Sequence, residues 1–179
     1  MLRTDRMLSL VLLCASPALL FAAPVPAVGS RAPEFTLQSQ DGRMVRLKDY
    51  RGKWVVLYFC PFPGRCSLEV DNFQRDLADY EKKNTVVLGI SVDEVGLQKD
   101  CIKESASLKL LADTSGEVSR KYGSLTNLLL VKLESRNTFV IDPQGKIVKV
   151  FTGVISPAQH SQQVLAALTA LQHAWSPAR

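Results

Sequence analysis

Trp54-Val55-Val56-Leu57-Tyr58-Phe59, followed at once by Cys60-Pro61-Phe62-Pro63-Gly64-Arg65-Cys66, is the stretch that decides the fold. The first six residues are an unbroken apolar run rich in β-branched and aromatic side chains. Such a run predicts a strand buried on both faces, in the middle of a sheet with helices on either side. The run ends just before Pro61 and Pro63. Beyond Cys66, Leu68, Phe73, Leu77 and Tyr80 recur at helical spacing and predict a helix over 67–82. Cys66 therefore falls at the opening of a helix that follows a buried strand.

Working outward, Thr85-Val86-Val87-Leu88-Gly89-Ile90-Ser91-Val92 reads as a second buried strand. Asp93 is placed to cap a helix reaching about Glu104 and carrying Cys101 near its end. Leu108 to Leu111 is a short strand. Thr114-Ser115-Gly116-Glu117 has the form of a capping box for a helix reaching Tyr122, with Gly123 as its stop. The apolar excursion over 127–134 matches no template. Residues 138–141 and 146–151 form a hairpin around Asp142-Pro143-Gln144-Gly145, and Ser156-Pro157-Ala158-Gln159 opens a last helix to about Gln172. Upstream, Asp41-Gly42 between residues 35–39 and 44–47 is a hairpin signal, since glycine supplies the positive φ of a tight turn. Strands alternating with helices, then a closing hairpin and helix, give an α/β chain. Its βαβ–ββα order is the thioredoxin-like plan: a central mixed sheet flanked by helices, with an N-terminal β-hairpin extension.

The chain has 179 residues, 46% hydrophobic and 22% charged, which fits one domain with a sizeable core. Residues 1–27 read differently from the rest. Arg3 and Arg6 precede apolar stretches broken by Ser16 and Pro17, and small residues fit cleavage after Ala22 or after Ala27. This is the pattern of a signal peptide, too short and interrupted for a membrane span, so residues 28–179 are expected as the folded domain of an exported protein without stable membrane association. Removing residues 1–22 takes away Arg3, Arg6 and Asp5, lowering the formal charge from +5 to +4. The remaining basic residues (Arg43, Arg46, Lys48, Arg51, Lys53, Lys82, Lys83) are scattered without interleaved aromatics, so no nucleic-acid partner is expected. His160, in the last helix, and His173, near the C-terminus, read as solvated helix residues, and Asp93, Asp113 and Asp142 as caps and turns.

With Cys14 inside the leader, Cys60, Cys66 and Cys101 remain, and an odd count in an exported chain leaves at least one thiol over. A chain this long has enough core without disulfide staples, which tilts the reading from structural towards redox. At the first turn of a helix, unpaired backbone N–H groups and the positive end of the dipole favour thiolate over thiol. Arg65 adds a cation beside Cys66, and Arg136 is a candidate second one. The same local sequence is compatible with a buried structural cysteine.

Trp54 to Phe59, Pro63-Gly64, Cys66-Ser67-Leu68-Glu69, Gly89-Ile90-Ser91-Val92-Asp93, Leu110-Leu111-Ala112-Asp113 and Arg136-Asn137-Thr138-Phe139-Val140-Ile141-Asp142 resemble, in order and spacing, the peroxiredoxin Q (bacterioferritin comigratory protein) family. The resemblance runs over about residues 28–171. It implies a thiol peroxidase in which Cys66 is the peroxidatic cysteine, Glu69 orders the active-site loop, and Arg136 reaches across to hold thiolate and peroxide. In one branch of the family the resolving cysteine lies on the helix after the second core strand, where Cys101 falls, 35 positions after Cys66. The commoner resolving position is Asp71 here. The resemblance further implies a hydroperoxide substrate, thioredoxin or a similar thiol reductant, a monomer, and no metal or organic cofactor. The chain departs from the family in its loop, which is shorter and lacks the Thr or Ser that helps hold peroxide; Ser67 is a partial replacement. Cys60 stands where the family has an aromatic and reads as packing. Two other readings compete: a disulfide oxidoreductase using Cys60 and Cys66, opposed by their five intervening residues, and a degenerate peroxiredoxin serving as a binding module.

Overall fold

A computed structural model describes residues 23–60, 68–99, 108–128 and 131–175; residues 1–22 of the expected leader lie outside them. The order of elements is β1 (Thr36–Ser39), β2 (Met44–Arg46), a 3-10 turn (Leu47–Tyr50), β3 (Trp54–Phe59), α1 (Leu68–Lys82), β4 (Thr85–Ser91), α2 (Val95–Lys99), β5 (Lys109–Ala112), α3 (Glu117–Lys121), β6 (Leu125–Leu128), β7 (Val131–Glu134), β8 (Thr138–Ile141), β9 (Ile147–Phe151) and α4 (Pro157–Ala174). Seven strands form one mixed sheet in the order β2-β1-β5-β4-β3-β8-β9, and β6 and β7 form a separate hairpin. The pairs β3–β4 and β4–β5 are parallel, whereas β8 runs antiparallel to β3 and β9 antiparallel to β8. This is the thioredoxin-like plan expected from the sequence, with the β1–β2 hairpin added beside β5.

β3 lies between β4 and β8, and all six of its residues are buried. Because strand side chains alternate faces, it feeds two cores. Val55, Leu57 and Phe59 join Phe35, Leu47, Leu88, Ile90, Leu111, Val118, Tyr122 and Phe139 on one face. Trp54, Val56, Tyr58 and Cys60 join Val70, Phe73, Leu77 and Tyr80 of α1 and Val164 and Leu168 of α4 on the other. In register, Gly89, Tyr58, Thr138 and Phe151 form a row across β4, β3, β8 and β9. The Tyr58 ring stacks on Phe73 at 4.5 Å between centroids, which seats α1 on the sheet. That seat requires the glycine beside it, since a Cβ on Gly89 would stand 2.6 Å from both the Tyr58 ring and Leu110.

Several local expectations change. α3 begins at Glu117 with Gly116 as its cap at φ 70°, so the box expected at Thr114 is not used. Buried Asp113 instead accepts the Ser119 N–H at 2.7 Å, and the Ser115 hydroxyl accepts the Glu117 N–H at 3.2 Å. The Ser115 hydroxyl thus takes the Glu117 N–H that the box would have used, and the Asp113 carboxylate takes a second free donor, that of Ser119. Ser156 caps α4 in position only, without a side-chain bond, although Pro157 occupies the first turn as expected. The unassigned excursion is the β6–β7 hairpin. α2 is described as far as Lys99, and the rest of its expected length, with Cys101, lies outside the described residues. Gly123 does stop α3, at φ 61°. Asp142 accepts the Gln144 and Lys146 N–H groups in the turn before β9, as read from its sequence.

The N-terminal segment is tied to the far end of the sheet. Gly29 N–H donates to Ile147 O, Ile147 N–H to Ser30 O, and Ala32 N–H to Gly145 O, over 2.7–3.0 Å. Replacing Gly89 by Ala forces Tyr58 or Leu110 out of place and should cost about 1–3 kcal/mol in denaturant unfolding. An unchanged midpoint would show that the α1 seat tolerates a shifted tyrosine.

Candidate active site

β3 ends at Phe59 and α1 begins at Leu68, two residues beyond Cys66. Arg65, Cys66 and Ser67 lie outside the described residues, as does Cys101. The other two residues singled out from the sequence, Glu69 and Arg136, are described, and the fold brings them together. Glu69 is in the first turn of α1 and 1% exposed. Arg136 sits in the lead-in to β8 with its side chain 35% exposed, and its Nε lies 3.6 Å from Glu69 Oε2.

The lead-in is held by polar contacts on both sides. Asn137, buried, donates from its amide to Gly123 O (3.2 Å) and Ser124 Oγ (3.1 Å) and accepts the Gly153 N–H at 3.3 Å. Its carbonyl accepts the Phe59 N–H at 2.9 Å, and Arg136 O accepts the Val154 N–H at 3.0 Å. Arg136 is thus presented by a short segment fixed to β3, to the α3 stop and to the β9–α4 connection. Asn137 was not among the candidate site residues from the sequence, where it stood only within the motif Arg136 to Asp142.

His160 is a correction. Read from the sequence as a solvated helix residue, it is 1% exposed, with Nε2 2.8 Å from Thr138 Oγ1 and 3.7 Å from Glu69 Oε1. Phe73 and Phe151 meet its ring edge-on at 5.9 and 5.5 Å. The end of the sheet row, Thr138 and Phe151, makes the floor on which it sits. His173 is exposed, as expected. Cys60 is fully buried in the α1–α4 core, its thiol directed at Ile90 O at 3.9 Å, in keeping with its reading as packing.

Burial raises the Glu69 carboxyl to about 7 from an ordinary 4.5, against the opposing pull of Arg136. Burial also lowers His160 to about 4 from 6.5. Both groups are thus pushed towards their neutral forms by the same loss of water. Keeping Glu69 charged above neutral pH costs roughly 3 kcal/mol relative to water. Among the described residues neither carboxylate oxygen has a hydrogen-bond donor, so Arg136 and His160 are its polar neighbours there.

A profile of the AhpC/TSA family matches residues 28–150. The chain is 38% identical over 149 residues to a peroxiredoxin bcp of Helicobacter pylori strain J99, covering 79% of this chain and 97% of that one. It is 33% identical over 147 residues to the chloroplastic peroxiredoxin Q of Oryza sativa subsp. japonica, covering 80% of this chain and 67% of that one. Among solved structures, peroxidoxin BcpB of Mycobacterium tuberculosis superposes with a TM-score of 0.72 at 30% identity, covering 80% of this chain and 97% of that one. Peroxiredoxin Q of Xanthomonas campestris gives 0.68 at 29% identity, covering 76% and 90%.

The two shifted groups have opposite effects on stability. The folded state holds the extra proton on Glu69 between about pH 4.5 and 7, so this group makes stability fall as pH rises through that window. The unfolded state holds the extra proton on His160 between about pH 4 and 6.5, so this group makes stability rise. In wild type the slopes offset each other. In urea unfolding from pH 4 to 8, Glu69→Gln should gain a rising slope relative to wild type, and His160→Leu a falling one, each roughly 1 kcal/mol per pH unit within its window. Curves parallel to wild type for both variants would show that the pair is not shifted as described.

Proposed function

The chain belongs to the AhpC/TSA family, as a peroxiredoxin of the bcp/Q kind and hence a peroxidase, and from that premise we propose that Cys66 is its peroxidatic cysteine and Cys101 its resolving one. The observation that carries this reading is the meeting of Glu69 and Arg136, 67 positions apart in sequence, within 3.6 Å at the opening of α1, just past Cys66.

The unpaired N–H groups and dipole at the start of α1, with the guanidinium of Arg136 and the cationic Arg65 adjacent in sequence, favour the Cys66 thiolate. The thiolate attacks one peroxide oxygen and the O–O bond breaks. Cys66 becomes a sulfenic acid, and the other oxygen leaves with a proton as water or an alcohol. Arg136 stabilises the charge that develops on the leaving oxygen. Glu69, at the base of Arg136, sets the direction of its guanidinium. The Cys101 thiol then displaces water from the sulfenic acid to form a Cys66–Cys101 disulfide, and a dithiol donor such as thioredoxin reduces it. The disulfide requires the two sulfurs within about 2 Å of each other. Ser67 supplies the hydroxyl that the shortened loop otherwise lacks.

The reading extends to export as a monomer after removal of the leader. The backbone of Val25 lies close against Gly123, where a Cβ would come within 2.8 Å of Val25 Cα. Cleavage after Ala22 keeps this contact and cleavage after Ala27 removes it. Intact mass of the secreted chain should therefore give Ala23 as its first residue; a start at Val28, or a retained leader, would overturn that assignment.

Peroxide consumption with dithiothreitol or a thioredoxin system, on wild type, Cys66→Ser and Cys101→Ser, tests the chemistry. Cys66→Ser should be inactive. Oxidised wild type should lose two hydrogens by intact mass while Cys101→Ser accumulates one added oxygen, and Arg136→Ala should slow thiol oxidation by about 10²-fold or more. A wild type that consumes no peroxide would overturn the peroxidase assignment for this loop, and a Cys101→Ser variant that still forms the internal disulfide would overturn Cys101.

A further inference from the structure

The mechanism above leaves a buried histidine without a role. His160 lies in the first turn of α4, walled by the edges of Phe73 from α1 and Phe151 from β9. These walls fix the plane of the ring, and the fixed plane directs Nε2 between Thr138 Oγ1 at 2.8 Å and Glu69 Oε1 at 3.7 Å. A leucine would fill the same space without burying polar nitrogen, which is costly unless its partners are supplied. Here a hydroxyl on the sheet supplies one at 2.8 Å, and at 3.7 Å stands a carboxylate on α1 that, among the described residues, has no hydrogen-bond donor.

We propose that His160 is a positioning residue of the peroxidase site, fixing the Glu69 carboxylate from α4 and, through it, the direction in which Arg136 meets the sulfur and the peroxide. The proposal rests on the roles assigned to Cys66 and Arg136, and adds a support from the opposite end of the chain. Thr138 fixes His160, His160 and Arg136 flank the two oxygens of Glu69, and Asn137 fixes the backbone of Arg136. Five residues of the site are thereby held by three elements: β8 with its lead-in, α4 and α1.

Of the other charged groups on the packed elements, Asp71, Asp79, Glu81 and Lys82 of α1 are exposed to solvent. α1 carries Asp76 further along, tied to Arg75, and Tyr80, whose hydroxyl donates to Ser161 O. The β8 lead-in contributes Arg136, β9 contributes Lys149 above the Phe151 ring at 5.7 Å, and α4 has His173 at its far end. With burial holding His160 near 4, the ring is neutral at working pH and acts by an N–H dipole rather than as a counter-ion. In the tautomer that carries its proton on Nε2, the N–H is pointed between Thr138 and Glu69 and favours the charged carboxylate. Its loss should therefore raise the pH at which Glu69 ionises and disengage Arg136 over a wider acid range.

The test is the single-turnover rate of thiol oxidation by hydrogen peroxide from pH 5 to 9, on wild type, His160→Leu, His160→Gln and Thr138→Val. Melting temperatures and the Glu69 carboxyl titration, read by 13C NMR, accompany it. His160→Leu should lose about tenfold in rate at pH 7 through misplacement of Arg136 and move the acid limb to higher pH. His160→Gln, whose amide can still donate, should recover to within about threefold of wild type. Thr138→Val should move the acid limb in the same direction as His160→Leu. A His160→Leu variant with the wild-type rate and pH profile would reduce His160 to packing and overturn the proposal. Should His160→Leu fail to fold, the glutamine and valine variants decide by the same criteria: a glutamine variant tenfold slow, or a valine variant with an unmoved limb, overturns it. If wild type itself consumes no peroxide, the peroxidase reading falls separately. The Glu69 titration then judges this proposal alone, an upward move in His160→Leu sustaining it and no move overturning it.

Discussion

A carboxylate without water is the constraint around which this end of the molecule is arranged. Glu69 is almost wholly buried at the first turn of α1, and a buried carboxylate is tolerated only if its neighbours make up for lost hydration or if it takes a proton. Both responses are present. Arg136 stands 3.6 Å away and favours the charge, while burial raises the proton affinity to near neutrality. The pair is less a source of stability than a way of committing two segments, 67 residues apart, to one relative placement. Removing either partner would leave the other charge poorly compensated, which is why such pairs specify geometry more reliably than they stabilise it.

The sheet supplies the precision. The row Gly89, Tyr58, Thr138, Phe151 changes from no side chain to a large ring, then a small hydroxyl, then a second ring. The missing side chain makes space for Tyr58, Tyr58 seats Phe73 of α1, and Phe73 and Phe151 wall in the ring that α4 sends down to Thr138. α1 and α4 are each located by residues of the row. The α1–α4 interface is itself polar at several points: Tyr80 donates to Ser161 O, and Asn72 donates to Pro157 O at 3.0 Å. Directional bonds of this kind restrict sliding between the helices in a way that apolar packing alone does not.

Much of this was legible in the sequence, for identifiable reasons. The apolar run over 54–59 has one reading as a strand covered on both sides, and the spacing of Phe73, Leu77 and Tyr80 marks the face of α1 that turns inward, whereas Leu68, read on the same face, is exposed and Val70 is buried in that turn. Asp41-Gly42 and Asp142 to Gly145 are turn sequences with a mechanism, and both turns formed where they were read. The β6–β7 hairpin escaped because Leu128-Leu129-Leu130-Val131 has neither the alternation of a half-buried strand nor a Gly, Asn or Pro to mark its turn. The capping box at Thr114 misled because the α3 donors are shared between Ser115, which takes the Glu117 N–H, and Asp113, which the end of β5 delivers to the Ser119 N–H. Glu69 and Arg136 could be paired only through a family resemblance, since no periodicity relates them. His160 was missed because its surroundings, Ser156 to Gln163, are polar and read as an exposed first turn. Its burial is a property of α4 lying across the sheet row. The one available signal was Val164 four residues on, at the spacing of a shared inward face.

The N-terminal segment has a consequence of another kind. β9 is the last strand of the sheet, and a last strand exposes backbone donors and acceptors on which another chain can build. Gly29 and Ser30 take two of those groups at Ile147, and Ala32 binds the turn just before it. The segment 29–32 thus covers the start of that edge, at Ile147 and the turn before it, and leaves less open backbone there for edge-to-edge aggregation.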